Sequence, residues 1–272
     1  MPEIAVRRAR RKKPPCYCML LLLSALWIAP RGVAQPVDAE KPETAFNAWP
    51  DAGFERAETR LARSTEIYPD GAPAYDYRLN LSLVFVEGTS WNQARVLRHV
   101  RKTANILGAC GIALDRVRLV KARVPNELRR IDVSEPVLGS DIPRKVQRLS
   151  AMMPRTADWP VLFFIARIDG EDELARSYQR GDVPLDQLSR YPYMNTAWIA
   201  YKTHWIERAE DGYSTVAHEL AHLLCECGHE GGSQRHLLHK FRNFLGAEVL
   251  PQHCQQFLRS PLLSRPSAVQ LR

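Results

Sequence analysis

Residues 213–229 read Tyr-Ser-Thr-Val-Ala-His-Glu-Leu-Ala-His-Leu-Leu-Cys-Glu-Cys-Gly-His. His218, Glu219 and His222 form an H-E-x-x-H pattern within them. Residues i and i+4 of an α-helix lie one turn apart on the same face, so both imidazoles can aim at one point. That arrangement suits a zinc ion, and Glu219 stands where a general base could take a proton from a water beside it. Apolar or small residues surround the pattern: Val216, Ala217, Leu220, Ala221, Leu223 and Leu224. The helix is therefore expected inside the protein, where polar groups cost free energy unless they find partners. A metal would supply those partners; histidines that merely satisfy hydrogen bonds are the plainer alternative.

The stretch resembles the metzincin group of zinc endopeptidases, whose pattern is H-E-x-x-H-x-x-G-x-x-H. Cys225 stands at the glycine position, Gly228 at the third-histidine position, and His229 one residue later. A helix that continued to His229 would carry it roughly 16 Å from His218, too far for a shared metal. The chain is therefore expected to turn back, and Gly228 is the natural place because glycine accepts left-handed dihedrals at a helix end. The expected ligands are His218, His222 and His229, with one zinc per chain and a water in the fourth position. Glu226, Glu230 and Glu248 compete as third ligand, and Cys225 or Cys227 could bind zinc as thiolate. The resemblance further implies a tight turn beneath the metal that usually carries methionine; Leu238 stands there in this chain. Tyr201, His204 and His239 are candidate oxyanion or proton donors, and His236 and His239 are close enough in sequence to compete as ligands.

Upstream, Arg7, Arg8, Arg10, Arg11, Lys12 and Lys13 precede an apolar run over 19–29 and the small residues Gly32-Val33-Ala34. A charged start, a short apolar core and a small-residue site predict a signal peptide over 1–34, with an uncleaved anchor as the alternative. Export would leave the protein in the periplasm or outside the cell, touching the membrane only through its leader. Removing 1–34 takes away seven Lys/Arg and one Glu, so the net charge falls from +8 to +2. The basic balance thus belongs mostly to the leader and gives no ground for a nucleic-acid partner. A peptide or protein substrate is the partner expected.

Pro36, Pro42, Pro50, Pro69 and Pro73 punctuate residues 35–76, read as a linker or pro-segment with one short helix over 54–64. The folded body is expected over 77–260 and a tail over 261–272. Alternation and apolar runs predict strands over 78–86, 116–124, 161–166 and 195–201. Helices are expected over 90–109 with Ser90 as cap, over 141–152, and over 241–250 and 252–258 with Pro251 near a start. Residues 169–193 read as a long charged loop that could line a cleft. The order gives an α+β or α/β fold: a single metzincin-like domain, its twisted mixed sheet packed on helices that include the zinc helix.

Cys16 and Cys18 would leave with the leader, and Cys110, Cys225, Cys227 and Cys254 remain. An even count in an exported chain favours disulfides. If Cys225 and Cys227 both lie on the helix, they point to different sides and do not pair. Two connectivities survive, of which Cys110–Cys225 with Cys227–Cys254 is preferred. Three functional classes follow from these residues: an exported zinc metallopeptidase, a non-catalytic zinc-containing binding protein on the same fold, or a structural zinc protein using Cys and His.

Overall fold

A computed structural model describes residues 55–132, 143–153, 159–169, 175–179, 191–204, 214–239 and 246–265. All of them belong to the compact unit Asp51–Arg272. The expected leader 1–34, residues 35–54 and the end of the tail lie outside the described residues.

The elements in chain order are β1 (Glu55–Leu61), α1 (Ser64–Ile67), β2 (Tyr77–Val86), α2 (Gln93–Gly108), β3 (Ile112–Arg123), β4 (Arg130–Asp132) and α3 (Arg144–Ala151). Then come β5 (Val161–Ile165), β6 (Arg167–Asp169), β7 (Ala175–Tyr178), β8 (Thr196–Ala200), α4 (Thr215–Cys225), α5 (Pro251–Phe257) and β9 (Leu263–Ser264). The main sheet runs β1-β3-β2-β5-β8-β7, with β9 added to β2. Its centre is parallel, and β1 and β7 close the two edges antiparallel. β4 and β6 form a separate parallel pair. The architecture is a mixed α/β fold in which a mixed sheet packs on helices.

Side-chain alternation sorts the central strands onto two cores. Leu162 and Phe164 of β5, with Leu81 and Leu83 of β2, join the core shared with α2, α4 and α5. Val161, Phe163 and Ile165 face the other way, onto Val146 and Leu149 of α3. Burial on both faces is why the central strands read as unbroken apolar runs. The Phe163 and Trp198 rings stack at 4.1 Å on this second face.

Several expectations are corrected. Residues 55–61 form an edge strand, not a helix, and pair with β3, so the folded body begins by Glu55 rather than near Tyr77. The charges that suggested a helix surface instead serve the sheet edge, where Arg123 of β3 meets Glu55 and Glu87. The cap of α2 is Asn92, whose side chain accepts the Arg95 N–H at 3.0 Å, and not Ser90. Part of the loop 169–193 is strand β7. Of the helix expected over 241–250, residues 241–245 lie outside the described residues, and Glu248 forms a β-bridge with His236. Among the described residues, no helix is long and apolar enough to cross a membrane.

Candidate metal centre

α4 is capped by Ser214, which has an extended backbone and whose side-chain oxygen accepts the Ala217 N–H at 3.1 Å. That cap satisfies one of the donors a helix start leaves open. Every residue from Thr215 to Leu224 is buried. His218 and His222 are 7% and 5% exposed, so their imidazoles are held inside the protein rather than on its surface.

The helix ends at Cys225. Glu226 follows in the left-handed region at φ 52°, and its N–H donates to the His222 carbonyl. The turn expected at Gly228 is therefore made two residues earlier, by a non-glycine residue. Leaving the helix so soon swings Cys227 back toward Cys225, and the two form a disulfide with Cα atoms 5.1 Å apart. The second bridge is Cys110–Cys254, with Cα atoms 5.0 Å apart. The preferred pairing of Cys110 with Cys225 and Cys227 with Cys254 is thus wrong. Its premise, that Cys227 continues the helix, fails at Glu226.

The turn returns His229 to the helix face. Its Nε2 lies 3.1 Å from the Nε2 of His218, which in turn lies 3.1 Å from the Nε2 of His222. One nitrogen from each of these residues falls within 4.8 Å of the others, and the set can hold a metal ion. The outer nitrogens are tied to backbone: His218 Nδ1 donates to the Leu237 carbonyl, and His222 Nδ1 donates to the Cys227 carbonyl at 2.7 Å. A carbonyl only accepts, so each Nδ1 carries the proton and each Nε2 presents a lone pair inward. Burial pushes the His218 pKa down to about 4. It lowers His222 as well, against the opposing field of the Glu219 carboxylate nearby.

Inward lone pairs 3.1 Å apart repel unless a cation stands between them, and burial works against a proton in that role at neutral pH. Nitrogens bound tetrahedrally to zinc stand about 3.4 Å apart, close to the separations here. The donor set, three imidazoles of which His218 and His222 present Nε2 lone pairs inward, fits zinc.

No family model matches the chain. No curated protein matches it either. Among solved structures it is similar to the crystal structure of metalloproteinase-II from Bacteroides fragilis, at 12% identity and a TM-score of 0.49, over 70% of this chain and 54% of that one. The chain thus spans about half the length of that protein.

Glu219 is buried at 6% exposure beside the histidines. Among the described residues, the competing third ligands fall outside the three-histidine group. Glu226 makes the turn, and Glu230 pairs through Oε2 with His253 Nε2 at 2.8 Å. Glu248 is held by backbone bonds to Arg235 and Leu237. Cys225 and Cys227 are bonded to each other and offer no thiolate. Leu238 is fully buried in the core shared with α4, and its carbonyl accepts the Glu230 N–H at 2.9 Å.

The candidate donors fall outside the three-histidine group. His204 Nδ1 faces His99 Nε2 at 3.3 Å, and the rings of Tyr201 and Trp91 pack on it. His239 bridges to Glu230 through the backbone, and its N–H donates to the His236 carbonyl. Four contributors carried no sequence signal: the carbonyls of Leu237 and Cys227, Gln179, which donates to the Cys227 carbonyl at 2.9 Å, and His253.

Proposed function

We propose that the protein is a zinc-dependent metallopeptidase that hydrolyses peptide bonds with Glu219 as general base. The observation that carries this reading is the convergence of three imidazole nitrogens beside a buried carboxylate. His218, His222 and His229 would hold the ion. When bound, zinc polarises a carbonyl and lowers the pKa of an adjacent water toward about 7. Glu219 takes the proton from the attacking water and passes it to the leaving amine. The Leu237 and Cys227 carbonyls keep both helix histidines in the tautomer that leaves Nε2 free.

The substrate is a peptide or protein, and the protein works after export, in the periplasm or outside the cell. The charged and apolar leader supports export, as do two disulfides, which persist in oxidising compartments. Glu219→Gln tests the mechanism: it should keep one zinc per chain and lose hydrolysis of an unstructured protein such as casein by 100-fold or more. Full activity in that variant refutes the role of Glu219. Zinc without hydrolysis in the unaltered protein would favour the non-catalytic binding protein.

A further inference from the structure

His253 is the most completely buried histidine of the C-terminal part, at 0% exposure. It lies on α5, outside the metal-binding group, and no step of the reaction uses it. Its Nε2 donates to Glu230 Oε2 at 2.8 Å, while its Nδ1 has no hydrogen-bond partner. A buried polar atom without a partner costs free energy, and an apolar residue there would avoid that cost. The position of Glu230 shows what the contact holds.

Glu230 directly follows His229. Its side chain is fixed by His253, and its backbone N–H donates to the Leu238 carbonyl at 2.9 Å. Leu238 directly follows Leu237, whose carbonyl orients His218. Glu230 therefore joins two segments, the one that delivers His229 and the one that sets the tautomer and angle of His218. α5, which supplies the anchor, is itself fixed: Cys254, next to His253, is bonded to Cys110 at the end of α2. Phe257, one turn on, is fully buried and stacks on the His253 ring.

We propose that His253 is a positioning residue for the metal centre, acting through Glu230 to hold His229 and the Leu237 carbonyl in register. The inference rests on the proposed metal centre. His253 touches neither metal nor substrate; the hydrogen bond from its Nε2 sets how rigidly the ligands are presented. Outer partners of this kind change metal affinity by roughly 10–100-fold when removed.

The experiment measures zinc affinity of the full chain by competition with a chromophoric chelator, beside the visible spectrum of the cobalt-substituted protein. His253→Ala should weaken zinc by about 10-fold or more and broaden the cobalt bands. His253→Gln, whose amide nitrogen can take the place of Nε2, should return affinity to within about threefold of the parent. Glu230→Ala removes the same contact from its more exposed side, should fold even where His253→Ala does not, and should weaken zinc equally. Val146→Ala, on the other face of the sheet, is the control: it should lower the melting temperature of the metal-free protein yet leave zinc affinity within about threefold. Parent-like zinc affinity in both His253→Ala and Glu230→Ala overturns the proposal. So does a loss in Val146→Ala as large as in His253→Ala, which would make the zinc loss a consequence of general destabilisation. A parent protein that binds no zinc overturns the metal centre itself, a result distinct from tight binding in every variant.

Discussion

The two disulfides close loops of very different size, and cutting them one at a time should have different consequences. Cys110–Cys254 spans a sequence separation of 144 and Cys225–Cys227 one of 2. A cross-link restricts the unfolded chain in proportion to the logarithm of the loop it closes. On that basis the long bridge contributes about 5 kcal/mol and the short one about 1–2 kcal/mol. The short bridge has another role. It flanks Glu226, which sits at φ 52° where a side-chain-bearing residue is disfavoured, and that turn brings His229 back to His218. Without the bridge, Glu226 is free to leave the left-handed region, and the third imidazole is no longer held. Cys110→Ala/Cys254→Ala should therefore lower the urea-unfolding free energy of the metal-free protein by about 5 kcal/mol. Cys225→Ala/Cys227→Ala should lower it by no more than about 2 kcal/mol yet weaken zinc by about 10-fold in a chelator competition. Equal stability losses in the two variants would refute the loop argument. Unchanged zinc affinity in the second would refute the claim that the bridge sets the turn.

Two further outcomes are expected. The Arg60 guanidinium, helped by the Arg63 N–H, lowers the Glu66 pKa to about 2. A carboxyl lowered on folding stabilises the folded state above its unfolded pKa, and that contribution fades as pH falls through the folded value. The pair at 2.8 Å is partly solvated, so Glu66→Gln should cost up to about 1 kcal/mol at pH 7 in urea titrations and progressively less as pH falls toward 2. A pH-independent cost would remove the ion pair as its cause. Gly246→Ala would drive its Cβ into the His236 carbonyl oxygen, backbone that has to move. Because the next residue, Leu237, orients His218, this variant should lose zinc affinity as well as about 1–3 kcal/mol of stability, read by chelator competition and thermal melting. Loss of stability alone would show that the segment does not orient His218.

The central strands were legible because burial on both faces leaves an apolar run with few interruptions, as in Val161–Ile165. α4 was legible because its apolar flanks agree with its H-E-x-x-H spacing. The edges were not. β1 is mostly charged because its stability comes from pairing with β3 and from cross-strand charges, which resemble a solvated helix face in one dimension. β7 is only four residues long and lies inside a charged loop. The disulfide pairing turned on where one helix stops. That was set by Glu226 entering a conformation its residue type disfavours, so the sequence pointed to Gly228 instead. His99 and His204 meet across 105 positions, and His253 reaches Glu230 across 23, with no local pattern to announce either contact.

The most direct test of the account is zinc content by elemental analysis, in the protein and in its His229→Ala variant purified side by side. One zinc per chain in the parent, lost or readily stripped in the variant, is the result the three-histidine centre predicts. Zinc retained at full strength without His229 would contradict that ligand set, and no zinc in the parent would contradict the metal centre as a whole.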